Sequence, residues 1–135
     1  MTIEGGCNCG AVRYSISGKP VVVAQCHCTN CQKQSGSAFS VNLLVKADDV
    51  NYSGNLSIYE DTNTASGALL YRKFCGQCGS PIFSEQADNQ GMVIVKAGTL
   101  DHPGDMVPAV SVWTETKLPW VELPARQMTF DRNAQ

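Results

Sequence analysis

Seven cysteines carry the most distinctive chemistry of this chain, and they fall into three groups. Cys7 and Cys9 form C-x-C. Cys26, Cys28 and Cys31 form C-x-C-x-x-C. Cys75 and Cys78 form C-x-x-C within "FCGQCGS". Thiolates at these spacings are ligands for zinc. Alternate residues of extended chain face one way, so a C-x-C aims two sulfurs at one point. A C-x-x-C carrying glycines turns tightly, and Gly76 and Gly79 supply the permissive backbone.

The spacing divides the cysteines into two sites. Cys26, Cys28 and Cys31 lie too close together to serve different ions. Cys7, Cys9, Cys75 and Cys78 then complete one tetrahedral set, the number that a structural zinc needs. The central three leave one coordination position open, as catalytic zinc sites do. Two other readings stand beside this one. A C-x-x-C in a reducing compartment could be redox-active. A histidine could also close the three-cysteine site. His27 lies among those ligands but faces away from Cys26 and Cys28 in extended chain. His102, in the turn "LDHPGD", could swing in from a distance.

Much else is excluded by composition. The chain of 135 residues suits one domain. Its net charge is −2 and its Lys and Arg residues are scattered, so no basic stripe marks it for nucleic acid. No apolar run is long enough to span a bilayer, and "MTIEGGCNCG" lacks the features of a signal peptide. The expected location is therefore the reducing cytoplasm, where cysteines serve metal or catalysis rather than disulfides.

Short strands must position the cysteines. "AVRYSISG" alternates apolar and polar residues and ends at Gly18. "PVVVAQC" leads into the central cluster and "FSVNLLV" leaves it. "LSIYE", "LLYRKF", "PIFSE", "MVIVKAG" and "AVSVW" follow between turn signals. One helix is expected, "TNCQKQSG", with Thr29 as its cap and Gly36 as its stop. Residues 60–68 read as a mobile loop. Residues 1–124 read as one zinc-binding domain, and 125–135 as a polar, frayed tail. The expected fold is mostly β, with short antiparallel strands in two small sheets packed face to face.

"GGCNCGAVRYSISG", "CHCTNCQKQSGSAF", "FCGQCGSPIF", "KAGTLD" and "LPW" together resemble the glutathione-dependent formaldehyde-activating enzyme family. The resemblance runs from about Gly6 to Trp120. It implies a β-tent of small antiparallel sheets with one short helix near the cysteine cluster. It also implies two zinc ions per chain, a structural one on Cys7, Cys9, Cys75 and Cys78 and a catalytic one on Cys26, Cys28 and Cys31. The implied activity is that of a carbon–sulfur lyase, joining formaldehyde and glutathione as S-(hydroxymethyl)glutathione. Zinc could serve it by deprotonating the thiol or by polarising the carbonyl. A glutathione site needs donors for carboxylates. The helix start at Thr29, with Lys33, Gln34 and Ser35, offers some, although Lys33 also reads as a solvated residue. Trp113 and Trp120 could wall a pocket or simply fill the core. His27 could act as acid or base, or merely support the ligands. A thiol carrier without turnover and a zinc-stabilised interaction module are the competing functions.

Overall fold

The computed structural model describes residues 2–89 and 91–133. In chain order the strands are β1 (Thr2–Gly6), β2 (Arg13–Ser17), β3 (Val22–Cys26), β4 (Ser40–Lys46), β5 (Val50–Ser53) and β6 (Leu56–Asp61). β7 (Leu70–Cys75), β8 (Pro81–Gln86), β9 (Met92–Lys96), β10 (Val110–Val112) and β11 (Met128–Thr129) follow, and helix α1 (Thr29–Ser35) lies between β3 and β4. The fold is mostly β, as the alternating runs imply.

The strands form two sheets of unequal size. One has three strands in the order β1-β2-β5, and the other has eight in the order β11-β10-β3-β4-β9-β8-β7-β6. Residues of one parity on each sheet face the other sheet. Ile3, Tyr14 and Ile16 of the small sheet meet Leu43, Val45, Val93 and Val95 of the large one. Tyr14 and Phe83 interlock edge-on, with ring centroids 5.3 Å apart, a favoured aromatic geometry. This apolar layer is the core.

Two features depart from the sequence reading. β10 runs parallel to both β3 and β11, whereas the other pairings are antiparallel. Its three residues are too few for a pattern to reveal direction. Residues 125–133 of the polar tail are also not frayed. β11 extends the sheet, and the polar side chain ahead of it is bonded inward. Ser111 Oγ donates to Gln127 Oε1 at 2.6 Å, and Gln127 Nε2 donates to Gln25 Oε1 at 2.6 Å. Polarity that suggested solvent is here spent on half-buried hydrogen bonds. The loop between β6 and β7, residues 62–69, lies over α1, where Asn30 Nδ2 donates to Asn63 O at 2.6 Å.

Candidate metal centres and the cavity beside one of them

The four outer cysteines converge from two distant turns. β1 leads into a turn at residues 7–10, where Gly10 N donates to Cys7 O at 3.2 Å. The C-x-C is thus set by a turn, not by extended strand. β7 ends at Cys75, and the next turn closes when Gly79 N donates to Cys75 O at 2.8 Å. Gly79 has φ 80°, which favours glycine. Gly76 has a different reason to be glycine: a Cβ there would lie 2.6 Å from Ser57 Oγ.

The four sulfurs lie within 4.8 Å of one another. Cys7 and Cys9 Sγ are 3.5 Å apart, and Cys9 and Cys75 Sγ are 3.8 Å apart. A tetrahedron with sulfurs about 2.3 Å from zinc has edges of about 3.8 Å, so the set fits. Val12 N donates to Cys7 Sγ at 3.2 Å. Hydrogen bonds from the Ser80 side chain and backbone lower the Cys78 thiol to about 5. Such bonds favour thiolate, the form that binds metal.

The central three cysteines gather at one end of β3. Cys26 is its last residue, Cys28 caps α1, and Cys31 stands in the first helical turn. Cys28 has extended backbone, φ −66° and ψ 154°, and its Sγ accepts from Cys31 N at 3.2 Å. Thr29 is therefore the first helical residue, not the cap. The cap role falls to a sulfur because the chain must turn at a ligand. Gly36 ends the helix as expected, with φ 65°. The three sulfurs lie within 4.8 Å of one another and all three residues are buried. Hydrogen bonds with Cys26 and Cys28 pull Cys31 down to about 2, and those with Cys28 and Cys31 push Cys26 well above its usual range. Three crowded thiols share protons in this way when no cation lets all of them ionise. The donor set suits a soft divalent cation.

Neither histidine joins this set. His27 is wholly buried on another side, with Nε2 3.3 Å from Ser111 Oγ and its ring 5.2 Å from Phe39. His102 is exposed and lines a separate depression with Ile3 and Met106. Among the described residues, no other His, Cys, Asp or Glu groups with the three sulfurs.

The three sulfurs open instead on a cavity of about 240 Å³. Its walls come from the face of the large sheet turned away from the core. Val22 and Ala24 of β3, Leu44 of β4 and Ile94 of β9 make it apolar. Five polar residues of the same parity interrupt that surface: Asn42, Lys96, Ser84, Arg72 and Gln86. Strand register aligns them, since Asn42 pairs with Lys96, Ile94 with Ser84, and Ser84 with Arg72. Lys96 is 7% exposed, and its Nζ donates to Asn42 Oδ1 at 3.1 Å. Burial lowers its pKa from the ordinary lysine range, and the nearby Cys31 thiolate works against that shift. Arg72 Nε donates to Asp61 Oδ2 at 2.7 Å, a buried ion pair.

Trp113 lines the cavity beside the cysteines and belongs to the same buried cluster. Its backbone is left-handed, φ 59°, which costs about 1–2 kcal/mol outside glycine. The tail holds it there: Trp113 N donates to Arg132 O at 3.0 Å and Nε1 to Asn133 Oδ1 at 2.8 Å. Trp120 is 72% exposed, so it neither fills the core nor lines this cavity. Lys33 is exposed, and neither Gln34 nor Ser35 reaches the cavity. Ser35 Oγ donates back to Cys31 O at 2.6 Å.

Lys96, Arg72, Ser84 and Asn42 are the cavity residues that the sequence reading missed. A signal existed for two of them. Arg72 is in phase with Leu70, and Lys96 with Ile94, so each charge stands on a buried parity.

Residues 2–116 match the family described as "Glutathione-dependent formaldehyde-activating enzyme". A Halomonas elongata protein named "Putative glutathione-dependent formaldehyde-activating enzyme" is 32% identical over 135 residues, covering 94% of this chain and 84% of that one. The crystal structure of a Rhodobacter sphaeroides protein superposes with a TM-score of 0.55 at 17% identity, covering 94% of this chain and 98% of that one. That second likeness concerns the fold alone. The cysteine sets, their order along the chain and the extent of the match agree: this chain belongs to the glutathione-dependent formaldehyde-activating enzyme family.

Proposed function

We propose that the protein is a zinc-dependent enzyme of carbon–sulfur chemistry, a lyase type that makes or breaks the bond between formaldehyde and the thiol of glutathione. The observation that carries this reading is the contrast between the two cysteine sets. One has four sulfurs, while the other has three that open on a cavity. A zinc held by Cys26, Cys28 and Cys31 would supply a Lewis-acid position for a thiol or a carbonyl oxygen.

The residues around that position have separable tasks. Cys26 and Cys28 anchor the site to the end of β3 and the start of α1, and Cys31 completes it from the helix. Trp113 and the apolar wall exclude water, which strengthens electrostatic interactions at the sulfurs. Lys96 places a buried positive charge on the same cavity. The outer set, Cys7, Cys9, Cys75 and Cys78, would hold a second, structural zinc. None of the seven cysteines is in a disulfide, which supports a reducing, cytoplasmic setting. No helix among the described residues is long and apolar enough to cross a membrane.

Metal analysis should give about two zinc ions per chain, as two complete donor sets require. Added protein should consume formaldehyde in the presence of glutathione faster than the spontaneous reaction, in proportion to its concentration. Glutathione binding without acceleration would turn the reading into that of a thiol carrier. Two zinc ions with no thiol binding at all would make the protein a zinc-stabilised interaction module.

A further inference from the structure

The wall of the cavity formed by Lys96, Ser84 and Arg72 has more hydrogen-bond donors than the protein uses. A lysine ammonium has three donors, and the protein bond recorded for Lys96 goes to Asn42 Oδ1. Ser84 is 2% exposed, and its Oγ has no hydrogen-bond partner among the described residues. Arg72 uses Nε for Asp61, and its terminal nitrogens carry no hydrogen bond among the described residues. A buried hydroxyl left unpaired is costly, so an unpaired one calls for a partner that the protein does not supply.

The charges point the same way. Two buried cations, Lys96 and Arg72, face the cavity, and one carboxylate, Asp61, answers them. No Asp or Glu lines the cavity among the described residues. Lys96 is left with no carboxylate among the lining residues, although the Cys31 sulfur also lies near it, so an anion can enter on that wall. The register sets the anion's seat. Ser84 is directly opposite Arg72 on the neighbouring strand, about 5 Å away at Cβ. Lys96 is diagonal to Ser84, two residues from its partner Ile94, about 7–8 Å away. Two carboxylate oxygens can bridge donors at that spread, each accepting up to two hydrogen bonds. The rest of the cavity is mainly apolar, with Asn, Gln, Ser and Thr side chains but no further charge among the described residues, and its volume of about 240 Å³ lies below the roughly 300 Å³ at which pockets for drug-sized ligands begin. It has room for a short aliphatic segment between the acid and the sulfurs.

We propose that Lys96, Ser84 and Arg72 form a carboxylate-binding subsite, and that the enzyme selects thiols, or their adducts, that carry a carboxylate a few bonds from the sulfur. This rests on the reading of Cys26, Cys28 and Cys31 as the thiol-binding metal site. The acid is held at the sheet wall, and the sulfur is thereby aimed at the three cysteines. For glutathione, the sulfur and the glycine carboxylate would enter with the segment that joins them, and the γ-glutamyl arm would stay outside the cavity.

The test is calorimetric titration of the zinc-loaded full chain with 3-mercaptopropionate and with 3-mercaptopropionamide, which differ only in the acid. The acid should bind at least about tenfold more tightly, the scale of a hydrogen bond to a charged group. Lys96→Met should lose that preference while its affinity for the amide is unchanged. Ser84→Ala, which removes one hydroxyl from an otherwise intact wall, should weaken the acid a few-fold and spare the amide. Equal binding of acid and amide by the wild type, or binding of neither, overturns the proposal. So does a preference that persists undiminished in both variants. Failure of formaldehyde turnover would instead strike the carbon–sulfur reading, and the acid preference would survive it.

Discussion

Cys28 is both the cap of α1 and a candidate ligand, and these roles can be pulled apart. Serine is among the best N-caps, so Cys28→Ser should keep the helix while losing the metal. We expect the melting free energy to change by no more than about 1 kcal/mol, with metal content falling from two zinc ions to one by elemental analysis. Cys75→Ser should behave differently. It breaks the set that ties the turn after β1 to the turn after β7, where metal-binding energy is folding energy. That variant should lose its cooperative unfolding transition in circular dichroism. A folded Cys75→Ser protein with one zinc would reverse the assignment of the two sets. The cysteines could be read from sequence because their spacing is local. That Lys96 and Ser84 share one wall could not, because it depends on strands paired across the sheet, and register is not written in any one segment.

At the scale of elements, the packing of β1 on β2 depends on the absence of a side chain. Tyr14 lies across Gly5, its partner in register, and a methyl at Gly5 would collide with Tyr14 Oη and the Thr99 carbonyl oxygen. Gly5→Ala should therefore destabilise by about 1–3 kcal/mol, the usual cost of overpacking, measured by urea denaturation. Burial raises the Tyr14 phenol from 10.0 to about 12, opposed by its hydrogen bond to Thr99 Oγ1. A raised pKa favours the neutral form in the folded state. The contribution is whole below pH 10.0 and is lost as pH rises towards about 12. Tyr14→Phe should flatten stability against pH across that window. Tyr14 and Ile16 announced their buried side by alternation, so β2 was legible. The parallel course of β10 was not, since direction depends on how residues 97–109 bring the chain back.

At the scale of the whole molecule, the last residues complete the cavity. β11 extends the sheet, and Asn133 fixes the Trp113 indole beside the cysteines. A chain ending at Pro124 should still form the core between the sheets, because none of that core comes from later residues. Its Trp113 would lose the bonds that hold a left-handed backbone. We expect red-shifted indole emission and faster loss of one zinc to a chelator, with the second zinc retained. Trp120 is already exposed, so the emission change would report Trp113. The polar composition of the tail hid this role, because amides bonded within the protein and solvated ones look alike in a sequence.

The alternation along β4 and β9 has one more consequence. Leu43, Val45, Val93 and Val95 hold the sheets together, while Asn42, Leu44, Ile94 and Lys96 face the cavity. Neighbouring codons thus answer to different selective pressures. Descendants of this gene can explore new ligands at every second position of two strands, leaving the intervening positions to preserve the scaffold.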